Sequence, residues 1–244
     1  MKNPIKILLF VFMLVIACEE GSLDYSSDKG ESTGTGGSLA RFTITKDCLY
    51  TVDNYTLKVF SLSNEKIPEK VNELYAGFEI ETIFAKSNLL FLGSRWGVYI
   101  YDISEPHNPM HLSTYSHTYS CDPVVVSGSY AYSTLSSSGP CARGQNELDI
   151  IDISNPATPN LVKVINMDSP RGLGISGNLL FVCDKGLKVF NIADKENPVF
   201  LKKISVTAVD VIPIDTLLLV ATESGLSQYL ITPENDLEFL STLY

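Results

Sequence analysis

A chain of 244 residues, 45% hydrophobic and 19% charged, is long and apolar enough to bury one sizeable core and too apolar to be disordered throughout. Its net charge of −10, more negative still once Lys2 and Lys6 leave with an export leader, repels nucleic acid and anionic lipid headgroups at close range. DNA and RNA are therefore not expected among its partners.

The chain opens with Lys2 and Lys6, followed by an apolar run from Ile7 to Ile16 and then Ala17. That run is too short to span a bilayer and has the layout of an export signal. The junction Val15-Ile16-Ala17-Cys18 resembles a bacterial lipobox. The resemblance implies that residues 1–17 are a lipoprotein signal peptide, that Cys18 is the lipidated first residue, and that acyl chains on Cys18 hold the protein to a membrane. Glu19 and Glu20 resemble the acidic surface-export signals of some Gram-negative lipoproteins, so an outer-membrane lipoprotein is expected, on the cell surface or the periplasmic side. Residues 18–38 read as a flexible tether, because Leu23 and Tyr25 are its only sizeable apolar side chains.

From residue 39 to residue 244 one phrase returns about every 40 residues. Its copies are Leu57 to Ser63, Val98 to Ser104, Leu148 to Ser154 and Leu187 to Ala193, with a weaker one from Leu226 to Thr232. Each repeat divides into four short runs rich in Val, Ile, Leu, Phe and Tyr, separated by Gly, Asn, Asp and Pro. Runs this short are strands, and four antiparallel strands make a blade. Blades set around an axis bury both faces of each sheet. The expected fold is all-β: a β-propeller of four-stranded antiparallel blades, five by literal count. Asp102, Ser104, Asp152 and Ser154, where the third run meets a proline-containing turn, are expected to hydrogen-bond the turn backbone.

These phrases, and the ending Asp152-Ile153-Ser154-Asn155-Pro156 in particular, resemble the LVIVD-repeat family of bacterial surface proteins. Ser120-Cys121-Asp122-Pro123-Val124-Val125-Val126 is similar to a branch seen in Bacteroidetes lipoproteins, as are Gly37 to Phe42, Pro170 to Ile175 and Leu180 to Asp184. The resemblance implies a β-propeller, export and no established enzymatic activity. Relatives tend to carry further repeats ahead of the segment matching Gly37, which bears on whether the ring closes.

In a propeller the inner strand of each blade starts on one face, which also collects the turns between second and third strands. Arg41, Glu81, Asp122, Arg171 and Asp210 hold nearly equivalent strand-start positions and would ring the channel mouth, their alternating signs favouring mutual pairing. Arg95 and Trp96, the latter the only tryptophan, form a common recognition pair on the same face. So does an insertion in the third repeat, from Ser136 to Glu147, which carries Cys141 and Arg143. Cys121 starts an inner strand on that rim, so a Cys121–Cys141 disulfide would clamp the insertion, whereas Cys48 and Cys183 read as buried thiols. His107, His111 and His117 lack the spacing of a zinc site, and neither metal nor cofactor is expected. The expected function is a lipid-anchored, non-catalytic binding scaffold in the cell envelope, taking protein or glycan through Arg41, Glu81, Arg95, Trp96, Asp122, Arg143, Arg171 and Asp210. Two rivals stand beside it: a glycan hydrolase using Glu81, Asp122 and Asp210, and a structural component of envelope assembly.

Overall fold

A computed structural model describes residues 37–64, 66–117, 119–120, 123–137 and 144–244. Among these residues the regular structure is all strand, in five four-stranded antiparallel sheets. Blade 1 contains β1 (Phe42–Thr45), β2 (Cys48–Val52), β3 (Thr56–Ser61) and β4 (Glu69–Tyr75). Blade 2 contains β5 (Ile80–Lys86), β6 (Leu89–Ser94), β7 (Gly97–Asp102) and β8 (Met110–Ser116). Blade 3 contains β9 (Val124–Ser127), β10 (Tyr130–Leu135), β11 (Glu147–Asp152) and β12 (Asn160–Asn166). Blade 4 contains β13 (Pro170–Ser176), β14 (Leu179–Asp184), β15 (Leu187–Asn191) and β16 (Val199–Ile204). Blade 5 contains β17 (Ala208–Ile214), β18 (Leu217–Thr222), β19 (Gly225–Ile231) and β20 (Leu237–Leu243). No helix among the described residues is long and apolar enough to cross a membrane.

The repeated phrase is the third strand of each blade, and the local chemistry repeats with it. Asp102, Asp152 and Asn191 each accept a hydrogen bond from the backbone N–H two residues on, at 2.6, 2.8 and 2.7 Å, which turns the chain away from the strand. The last residue but one of each phrase reaches back to the first turn of its blade: the N–H groups of Leu62, Ile103, Ile153, Ile192 and Ile231 donate to the carbonyls of Asp47, Asn88, Ser129, Asn178 and Thr216. A bulge falls at the same point between third and fourth strands in every blade, for example between Ile100 and Tyr101 or Val189 and Phe190. It bends the outer strand away from the ladder.

The core lies between blades. Tyr50, Phe91, Tyr132 and Phe181 are equivalent second-strand residues, all fully buried. The two tyrosines also hydrogen-bond the next blade: Tyr50 Oη donates to the Pro106 carbonyl at 2.8 Å and Tyr132 Oη to that of Lys195 at 2.7 Å. In both cases the acceptor sits in the third-to-fourth turn of the following blade, so these two junctions are stitched at their outer edge. Burial raises both phenols above their ordinary range. Cys48 and Cys183 are buried free thiols, and burial pushes both up. Inner strands pack in the order β1, β5, β9, β13, β17, each also touching the second strand of the preceding blade. Packing of β1 on β17 or β18, which would close the ring, falls short of that seen at the other four junctions.

Candidate functional site

Turns from second to third strand and connections from one blade to the next share one rim, tied by backbone hydrogen bonds from Ala76 to Tyr55, Ser120 to Arg95 and Met167 to Asn146. Arg41, Glu81, Arg95, Trp96, Arg171 and Asp210, the expected site residues among those described, stand here. Cys18, Cys121, Asp122, Cys141 and Arg143 lie outside the described residues, and the lipid anchor and the Cys121–Cys141 bridge with them.

Arg95 and Trp96 come together with Glu81 and with two residues, Glu79 and Tyr119, that the repeat pattern did not single out. Arg95 Nε donates to Glu81 Oε1 at 2.7 Å, and its Nη1 donates to Glu79 Oε1 at 3.3 Å and Tyr119 Oη at 3.0 Å. Trp96 Nε1 donates to Glu79 Oε2 at 3.0 Å, and the indole meets the Tyr119 ring edge-on at 5.1 Å. One guanidinium thus serves two carboxylates, and 48% of Trp96 stays exposed as an aromatic surface.

Among its described residues, Arg41, Glu81, Arg171 and Asp210, the charged ring shows no pair within itself. Arg41 reaches Asn54 at 3.3 Å, Glu81 is held by Arg95, and Arg171 pairs with Glu223 at 3.1 Å. Asp210 is buried beneath the residues ahead of β1. It accepts hydrogen bonds from Ser38 Oγ at 2.9 Å, Leu39 N at 3.2 Å and Val211 N at 2.9 Å, while Ser38 Oγ accepts one from Leu173 N at 2.8 Å. Packing is so close that a Cβ on Gly37 or Gly172 would stand 2.3 or 2.1 Å from the Asp210 carboxylate. The folded body therefore takes in Gly37 and Ser38, which the sequence reading assigns to the tether. Burial raises the Asp210 carboxyl, and the Leu39, Ser38 and Val211 donors pull it back only in part.

As a hydrolase pair Glu81 and Asp210 are poorly disposed, since the oxygens of one face an arginine and those of the other face backbone and Ser38. A different acid is less engaged: Asp149 on β11 is 2% exposed, accepts from Tyr115 Oη at 2.8 Å, and has no hydrogen-bond partner for Oδ1 among the described residues. Burial pushes its carboxyl up, as it does that of Glu147. Among the histidines, His111 lies 3.0 Å from Thr114 and edge-on to Tyr101.

Between blades 4 and 5 the rim opens into a groove of about 510 Å³. Arg171, Lys185 and Lys203 line it, with Glu223 opposite and Ser205 to Ala208 as its backbone wall. Three bases on one groove stand out on a chain of net charge −10. Arg171 carries a strand-start signal, but Lys203 comes from the outer strand and Lys185 from a turn, positions that read as solvated edges.

Residues 119–166, which are blade 3 with the connection leading into it, match the model of the LVIVD repeat. No curated protein matches the chain. Among solved structures, a functionally unknown protein from Desulfotomaculum acetoxidans superposes with a TM-score of 0.69 at 14% identity, over 85% of this chain and 70% of that one. The periplasmic gluconolactonase of Pseudomonas aeruginosa gives 0.64 at 15% identity, over 83% and 69%. A Bacteroides fragilis protein whose name proposes a 6-phosphogluconolactonase gives 0.61 at 10%, over 82% and 68%. These last two correct the expectation that the chain is not an enzyme: lactonase names occur on this fold, so a propeller of this kind does not exclude catalysis. At such identities the likeness establishes the fold alone. All five repeats fold as four-stranded blades and the third matches the LVIVD model, so the chain is a β-propeller that contains an LVIVD repeat.

Proposed function

We propose that this propeller is a cell-envelope protein that binds an anionic sugar, a sugar acid or an acidic glycan, in the rim groove between blades 4 and 5. The observation that carries the reading is the convergence of Arg171, Lys185 and Lys203 on that groove in an acidic molecule. A guanidinium presents two parallel N–H donors to a carboxylate, ammonium groups add point charge, and Ser205 and Thr207 supply donors and acceptors for hydroxyls. The Arg171–Glu223 pair is exposed at 42% and 67%, so a ligand carboxylate can replace Glu223 at small cost. The lactonase names of two structural neighbours lend support, because a sugar lactone opens to a sugar acid. The same cations would stabilise an oxyanion developing on such a lactone.

Thermal-shift and calorimetric titration with gluconate, 6-phosphogluconate, acidic oligosaccharides and neutral glucose tests this, with the opening of added gluconolactone followed in separate samples. Acidic sugars should raise the melting temperature, and Arg171→Ala or Lys203→Ala should weaken them about tenfold, the loss expected for one charge-assisted hydrogen bond. A response to glucose equal to that to gluconate, or no response to any acid, overturns the reading. Anchoring through Cys18 belongs to the same proposal and rests on the lipobox resemblance; radiolabelled palmitate should enter the expressed chain and not its Cys18→Ser variant.

A further inference from the structure

Among the described residues, two blade faces lack the cover that every equivalent face has. In blades 1 to 4 the face turned toward the next blade is sealed, with Tyr50, Phe91, Tyr132 and Phe181 at its centre at 0% exposure. Leu219 takes that place in blade 5 and is partly exposed, as are Leu217 and Leu226 beside it, and Ile214 is 47% exposed. The opposite face, turned toward the preceding blade, is sealed in blades 2 to 5 but open in blade 1. There Phe42 and Ile44 are 53% and 47% exposed, whereas their register equivalents Ile83 and Ala85 in blade 2 are at 2% and 0%.

We propose that this open junction is where two copies of the chain meet, blade 5 of one copy packing on blade 1 of the other. The two free faces are the two halves of a single interface that the chain already builds four times within itself. In the junction of blades 1 and 2, Tyr50 sits in one cluster with Ile83, Ala85 and Leu90. By register Leu219 stands for Tyr50, and Phe42, Ile44 and Leu49 stand for the other three. A surface whose own complement lies elsewhere on the same molecule makes head-to-tail contacts, and two copies can form both at once in a closed pair. Strand spacing and rise give a blade face of about 19 by 20 Å, so the four faces of a closed pair cover roughly 1,500 Å², the size of a standard stable interface.

The test joins the full chain to itself. Light scattering after gel filtration in the micromolar range should give the mass of a dimer, and Ile44→Glu or Phe42→Glu should give monomers with unchanged strand circular dichroism, since both side chains are already at the surface. A second measurement does not depend on those variants. Oxidation of the double variant Ile44→Cys, Leu219→Cys should yield covalent dimers, with each single-cysteine variant as the blank for native thiols. Monomeric wild-type chain throughout the concentration range overturns the proposal. An intramolecular disulfide in place of the dimer also overturns it, by showing that the ring closes on itself.

Discussion

At Gly97, the first residue of β7, φ is +151°, and the Tyr115 carbonyl oxygen lies 2.0 Å from the place a Cβ would take. Gly225 at the start of β19 meets the Leu243 carbonyl at the same 2.0 Å, and Gly186, just before β15, meets that of Ile204 at 2.8 Å. The outer strand can pair to its end in these blades only because the first position of the third strand has no side chain. Gly97→Ala should therefore cost about 1–3 kcal/mol in strain, with further loss from the displaced end of β8. Gly128 also has a positive φ, of 59°, but nothing lies within 4 Å of its Cβ position, so Gly128→Ala should cost only roughly 1–2 kcal/mol. Urea unfolding of the two variants checks the difference, and equal losses would mean that backbone conformation, not the outer strand, sets the requirement.

Second strands end in polar clamps on the rim, such as Ser94 on β6, and Asp184 at the end of β14 is a fully buried one. Its carboxylate accepts from Ser169 N at 2.6 Å, from Asp168 N at 3.0 and 3.1 Å, and from Lys188 Nζ at 2.6 Å, so it ties the second strand to the third and to the incoming connection. Burial alone would raise this carboxyl, yet Lys188 and the two N–H donors outweigh it and hold it below the usual carboxylate range. A carboxyl depressed on folding contributes its stability above the unfolded value of about 3.9 and loses it as pH falls through the lower folded value. Asp184→Asn should therefore cost about 2 kcal/mol near neutral pH, with the gap to wild type shrinking below about pH 4. Unfolding midpoints measured from pH 7 to pH 3 would show it, and a constant gap would mean that lost packing, not charge, is responsible. The strands themselves were readable in the sequence because Val98 to Ser104 and its equivalents are short runs rich in Val, Ile, Leu, Phe and Tyr with turn residues on either side. Partners across the rim were not. Glu79 and Tyr119 sit on connections with no repeat phase, and the burial of Asp210 depends on Ser38, which is 172 residues away in sequence. Spacing placed Asp210 at a strand start correctly, but it could not show that the leader to β1 covers it.

Across the molecule, stability in a stacked repeat is close to a sum of unit terms and junction terms. Blades 2, 3 and 4 have a junction on each side, whereas blades 1 and 5 have one each, so the two ends lack an interface that seals Tyr50, Phe91, Tyr132 and Phe181 elsewhere. Blade 1 is partly compensated, because Ser38 and Leu39 fasten its leader to Asp210 on β17 and to β13. Blade 5 gains that tie only at its inner strand, and β18 and β19 behind it keep one face open. Amide hydrogen exchange should therefore report a graded molecule. Protection should be highest in β6, β10 and β14, and lower by at least about tenfold in β18 and β19, which open without the rest. Raising the protein concentration should slow exchange in β18 and in β1 selectively if copies pair there, because a partner covers both free faces and leaves the inner blades as they were. Equal protection in all five blades at low concentration would mean that the ring unfolds as one unit, and that blade 5 draws its stability from contacts other than its junction with blade 4.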